Sequence, residues 1–179
     1  SRKRSSGVGR RRTGYLSVRE IRLFGDPILK SETTPIDNFS QVSRLIQDLL
    51  DTTALSGRAG VAATQIGVGL SAFAYNVDGK AGYLINPKIT NLEGEEQLME
   101  EGCLSVPGLW QQVPRYERAT AAGFQLDGSE IKITGEGLMA QVLQHEIDHL
   151  EGLLYLDRLL PEERKLAFKS LREQPWFMR

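Results

Sequence analysis

The sequence predicts an α+β fold. Antiparallel or mixed β-sheets pack around a central helix, with one more helix in the N-terminal half and another near the C-terminal end. Three observations predict it. Residues 70–134 are mostly strand-like runs punctuated by Asp-Gly turn signals. A run from Leu138 to Glu151 is apolar on two sides of a helix, as buried helices are. Val42, Leu45, Ile46, Leu49 and Leu50 follow the i, i+3, i+4, i+7, i+8 spacing of an amphipathic helix. Strands gathered ahead of the central helix, rather than alternating with helices, point to α+β.

In chain order, ordered structure is expected from near Tyr15, and Gly25-Asp26-Pro27 reads as a turn. Asp37 or Asn38 is the expected cap of the first helix, and Gly57-Arg58-Ala59-Gly60 ends that element. Leu70–Val77 reads as a strand, Asp78-Gly79 as a tight hairpin turn and Gly82–Ile85 as the return strand. Ile89–Met99 and Ala119–Leu126 are further strands, and Asp127-Gly128 turns the chain into Ile131–Thr134. The central helix is bounded by Gly137 and Gly152. The last helix starts at Pro161, a residue suited to a first helical turn, and ends before Pro175.

A chain of 179 residues suits one domain with a real core. Residues 1–14 are expected to form a basic, flexible head and residues 15–179 a single catalytic domain. The head carries Arg2, Lys3, Arg4, Arg10, Arg11 and Arg12 with no acidic residue, so the formal net charge of -1 leaves the remainder at -7. An acidic body argues against sequence-specific nucleic-acid binding. The head reads as a solvated arm (native or left by cloning), a targeting remnant or an RNA contact. No apolar run reaches the length of a membrane span. A single cysteine excludes an internal disulfide.

That cysteine and the only two histidines all fall in motifs with metal-ligand spacing. His145 and His149 form His-Glu-x-x-His, which on a helix turns two imidazoles to one face. Glu146, next to one ligand, is placed to move a proton to and from a water at the metal. Cys103, in Glu101-Gly102-Cys103-Leu104-Ser105, is the third candidate ligand. Thiolate plus two imidazoles suits Zn²⁺ or Fe²⁺ better than Mg²⁺. Gly60-Val61-Ala62-Ala63-Thr64-Gln65 places a Gln amide, a candidate oxyanion donor, after a run of small residues. Glu101 and Arg115 are a candidate ion pair behind the cysteine loop.

These three stretches, in this order, resemble peptide deformylase, whose motifs are Gly-x-Gly-Leu-Ala-Ala-x-Gln, Glu-Gly-Cys-Leu-Ser and Gln-His-Glu-x-Asp-His-Leu. Here they stand as Arg58 to Gln65, Glu101 to Ser105 and Gln144 to Leu150. The resemblance runs from about Ile21 to Asp157 and leaves only the head outside. It implies removal of the N-formyl group from formylmethionine on new polypeptides. Cys103, His145 and His149 would hold one divalent metal, Fe²⁺ in the cell, with Zn²⁺, Ni²⁺ or Co²⁺ also bound by the family. Glu146 would be the general acid/base, and Gln65 with the Leu104 N–H would stabilise the oxyanion. The peptide would lie extended beside Gly60 and Gly102, its methionine near Leu138, Gln141 and Val142. A ribosome contact and a cytoplasmic place of action follow, an organelle being left open by the head. Three positions depart from the pattern: Arg58 replaces a Gly, Val61 replaces Leu, and Gln141 stands where many relatives carry an apolar residue.

Two rival readings use the same histidines. A zinc metallopeptidase would take its third ligand downstream, but Tyr155 stands six residues after His149, leaving Glu162, Glu163 or Glu173. A structural zinc site needs four protein ligands, and no further Cys or His exists to complete one.

Overall fold

A computed structural model describes residues 17–177. The head and the expected start near Tyr15 lie outside the described residues. Helix α1 spans Ser43–Thr53, α2 Leu138–Leu150 and α3 Pro161–Arg172. Strands β1 (Gly60–Ala62), β2 (Ala72–Val77), β3 (Lys80–Cys103), β4 (Val106–Phe124) and β5 (Glu130–Glu136) form one sheet in the order β1-β2-β3-β4-β5. Every pairing between them is antiparallel, so the expected mixed sheets resolve into a single antiparallel one.

Side chains alternate faces along a strand, and this alternation places the helices. Ala72 and Ala74 of β2 and Ile85 of β3 pack with Ile46 and Leu49 of α1. Phe73 and Leu84, one residue out of phase, pack with Leu143 and Ile147 of α2. The two helices therefore cover opposite faces of the sheet. Burying a Leu, Ile or Phe side chain contributes roughly 1.5–3 kcal/mol, so these layers fix α2 firmly. A third cluster joins Val106, Leu109 and Val113 of β4 to Leu154, Leu156 and the buried face of α3. Pro161 opens α3, Glu162 and Glu163 sit in its first turn, and Lys169 and Arg172 in its last, all matched to the helix dipole.

Several elements differ from the sequence reading. Asn38 caps a 3₁₀ turn, Phe39–Gln41, by accepting from Ser40 N–H, and α1 begins after Val42 without a side-chain cap. Gly82–Ile85 and Ile89–Met99 are parts of one strand, β3, whose register shifts between Ile85 and Lys88. Asn86 sits in that irregularity at φ 49°, held by its side-chain amide on the backbone of Ile36. The first half of β4 was not expected, because Pro107, Gly108 and Pro114 read as breakers. Among the described residues it pairs with β3 alone, since β5 joins β4 only from Arg118 onward, and a one-sided strand tolerates proline.

Candidate metal centre

The site forms where α2, β1 and the β3–β4 hairpin meet. Helical spacing turns His145 and His149 the same way, with their Nε2 atoms 3.1 Å apart. The hairpin pairs Cys103 with Val106 across the two-residue turn Leu104-Ser105, which points the thiol at the helix. Cys103 Sγ lies 3.4 Å from His149 Nε2, and the ligand atoms of all three residues fall within 4.8 Å of one another. Three lone-pair donors this close require a shared cation, a proton or a metal. The chemistry fits a divalent ion, since separations of this order match bonds of about 2.0–2.3 Å.

Behind the ligands runs a buried charge network. Arg115 forks onto Glu101 with bonds of 2.9 and 2.7 Å, and gives its remaining arm to Asp148 at 2.8 Å. Glu101 Oε2 takes the Nδ1 side of His145 at 2.8 Å, which directs Nε2 at the ligand cluster. Burial pushes the Glu101 carboxyl up, but Arg115 and His145 more than offset it and hold it at about 2. Burial opposes charge on His145, yet Cys103 and Glu101 raise its proton affinity well above the usual value. Burial and the neighbouring His145 keep His149 neutral, well below the usual value. One imidazole is thus tied to a carboxylate and the other is a free neutral donor.

Glu146 is held differently. Its Oε1 lies 3.7 Å from His145 Nε2, while Oε2 is buried with no hydrogen-bond partner among the described residues. Burial raises its pKa to about 7. The carboxylate packs against Gly60, where any Cβ would come within 2.9 Å of it. That contact explains the glycine. On the other wall, a Cβ at Gly102 would meet the Trp110 ring at 2.8 Å.

Gln65 lies in the 3₁₀ turn Ala63–Ile66 that follows β1. Its carbonyl oxygen accepts from Ala62 N–H at 3.0 Å, which leaves the NH₂ end facing the hairpin. That end donates to Ser105 Oγ at 3.1 Å and lies 3.7 Å from Cys103 Sγ. A cleft of about 360 Å³ opens over the cluster. Leu104, Gly60 and Gly102 line it near the ligands, and Leu138, Gln141 and Val142 line it from α2. His149 lies beneath, 1% exposed. The candidate ligands, Glu146, Gln65 and the expected cleft residues are thus brought together, and Glu162, Glu163 and Glu173 are not among them.

Gln141 takes a role not expected of it. Its amide donates to Glu100 O and to Glu101 Oε1, so it braces the network while lining the cleft. Arg58 has no positive φ and donates to Thr52 O, so the departure from Gly costs no backbone strain. The sequence reading missed Asp148, which bridges Arg115 and Arg158. A carboxylate inside the His motif of a buried helix was the available signal. It also missed Tyr155, whose ring stacks on His145 at 6.5 Å and 21°. Among the described residues, the group able to share an ion is Cys103, His145 and His149. Glu163 instead accepts from Gln112 N–H, and the metallopeptidase ligand set is not formed.

The family model described as polypeptide deformylase matches residues 18–165. A peptide deformylase of Acidothermus cellulolyticus is 47% identical over 162 residues, covering 90% of this chain and 89% of that protein. Peptide deformylase 1 of Corynebacterium glutamicum is 40% identical over 167 residues, covering 90% of this chain and 99% of the relative. Among solved structures, the peptide deformylase of Thermus thermophilus superposes with a TM-score of 0.81 at 39% identity. That match covers 87% of this chain and 94% of the other.

Proposed function

The chain belongs to the peptide deformylase family, and we propose that Cys103, His145 and His149 hold its metal while Glu146 moves the proton. It is a metal-dependent hydrolase that removes the N-formyl group from the N-terminal formylmethionine of new polypeptides. A divalent ion held by Cys103, His145 and His149 would supply Lewis acidity and make a water easier to ionise. Glu146 takes the water proton as oxygen attacks the formyl carbon, and returns it to the departing nitrogen as the C–N bond breaks. Formate and a free α-amino group result. Burial eases protonation of the Glu146 carboxyl, which suits a group that must carry a proton from water to nitrogen.

Gln65 N–H and the Leu104 N–H stabilise the oxygen that gains charge. Leu138 and Val142 give the methionine side chain an apolar wall, and Gln141, tied to Glu101, sets its depth. The peptide lies extended beside Gly60 and Gly102 as an added strand, in the cleft that both glycines line. Fe²⁺ is the proposed ion in the cell, with Zn²⁺, Ni²⁺ and Co²⁺ as alternatives that the same donors accept. Arg164, Lys165, Lys169 and Arg172 on α3, with the basic head, are the proposed ribosome contacts. Action on nascent chains argues for a cytoplasmic protein. None of the described helices is long and apolar enough to cross a membrane.

The observation that carries this reading is the Glu146 carboxylate, packed on Gly60 inside the cleft and beside the Cys-His-His cluster. The test is formate release from formyl-Met tripeptides by anaerobically purified protein, before and after chelation. Activity should follow bound metal, vanish on chelation and return with Fe²⁺. Metal-loaded protein that releases no formate would overturn the reading.

A further inference from the structure

The segment after α3 returns to the cleft from behind. Gln174-Pro175-Trp176-Phe177 closes a turn with Phe177 N–H on Gln174 O at 3.1 Å. Proline in the second position favours such a turn. It directs Trp176 back to the start of β4, where the indole N–H donates to Pro107 O at 2.9 Å. The Gln174 side chain fills the space beside Gly108, which sits at φ 88° and whose Cβ would come within 2.5 Å of Gln174 Oε1. Pro107, Gly108, Leu109 and Trp110 form one wall of the cleft.

A second strand of contacts reaches the same hairpin from its other end. Phe177 packs on Phe24 at 6.2 Å, and Phe24 N–H donates to Ser105 O at 2.7 Å. The turn thus grips the cleft wall on both sides of Val106. Trp176 and Phe177 also pack against the same apolar cluster that Cys103 touches. Phe24, Gln174, Trp176 and Phe177 lie outside the motifs that hold the metal and the proton shuttle.

We propose that Trp176 is a positioning residue for substrate selection: by fixing Pro107 it sets the β4 wall of the cleft, which together with Leu138 and Val142 of α2 bounds the first side chain of the formylated peptide. The proposal rests on the deformylase reading. It requires the indole N–H and not merely the ring, because the ring alone could pack in several orientations while the bond to Pro107 O fixes one. A neutral hydrogen bond is worth up to roughly a tenfold change in an equilibrium. The expected effect is of that size.

The experiment compares wild type, Trp176→Phe and Trp176→Ala on formyl-Met and formyl-Ala tripeptides, with bound metal and Tm measured on the same samples. Wild-type formate release tests the deformylase reading by itself. Trp176→Phe keeps the apolar ring and removes the donor. It should raise KM for formyl-Met roughly 3–10-fold, with kcat within about 2-fold and metal unchanged. The kcat/KM preference for formyl-Met over formyl-Ala should fall by a similar factor. A purely structural role would lower the active fraction for both substrates alike and leave the preference intact. That outcome, or an unchanged KM in Trp176→Phe, overturns the proposal whether or not Trp176→Ala folds.

Discussion

Replacing Arg115 by Met separates what the buried network does for stability from what it does for the metal. The guanidinium is 3% exposed, and all three of its arms are bonded to Glu101 or Asp148. Met fills similar volume but leaves two buried carboxylates short of charge. Glu101 keeps only His145 and the Gln141 amide, and Asp148 keeps Arg158. Breaking one side of a buried pair costs about 3–5 kcal/mol. For a chain of this length, 1 kcal/mol moves Tm by about 2–4 °C, so the loss is on the order of 6–20 °C. Glu101 would also orient His145 less firmly, which should weaken metal binding about 10–100-fold. The double variant Glu101→Leu, Arg115→Met removes both charges. Its stability should recover in part, because apolar replacement of a buried ion pair is often neutral while Asp148 still lacks Arg115. Its metal affinity should not recover, because His145 still lacks its carboxylate. Urea unfolding of metal-free protein and competitive metal titration measure the two quantities. A single variant within about 1 kcal/mol of wild type, or a double variant restored in both respects, would refute the reasoning.

Three further outcomes follow from the site. Gly60→Ala should displace the Glu146 carboxylate, from which its Cβ would stand 2.9 Å away, and lower kcat with little change in bound metal. An unchanged kcat would mean Glu146 is not held by that contact. Gln65→Ala should cost on the order of 10²–10³ in kcat, the value of one oxyanion donor. A pure KM effect would make Gln65 a ground-state binder instead. Glu146 has its pKa raised from 4.5 to about 7, so it favours the metal-free fold below pH 4.5 and loses that contribution as pH rises through 7. Glu146→Gln carries no such dependence. Its stability relative to wild type should therefore improve between about pH 5 and 8 by up to about 3 kcal/mol, and a flat difference would place the carboxyl in water.

The central helix and its ligands were legible because helical spacing is local: four residues separate His145 from His149 wherever the helix packs. Cys103 was legible through its motif and not through geometry, since it reaches the helix only by way of the β3–β4 hairpin. The first half of β4 was hidden because Pro107 and Pro114 argue against a strand, and only its one-sided pairing makes them tolerable. The Glu101–Arg115 pair was anticipated from proximity to the cysteine, whereas Asp148 and Arg158 were not. Their pairing depends on how α2 docks on β4, which no local pattern encodes. Gln141 shows the same limit. Its place on the cleft side of α2 was readable, but its bond to Glu101 required the fold.

The most direct test of the central claim is formate release and metal content measured on the same samples of wild type, Cys103→Ser and Glu146→Gln. Glu146→Gln should keep full metal and lose at least about 10²–10⁴-fold in turnover, the usual worth of a positioned acid/base. Cys103→Ser should fold but lose most of its metal, because a neutral hydroxyl is a poor partner for these ions. A nearly fully active Glu146→Gln protein, or a Cys103→Ser protein with stoichiometric metal and normal turnover, would contradict the account.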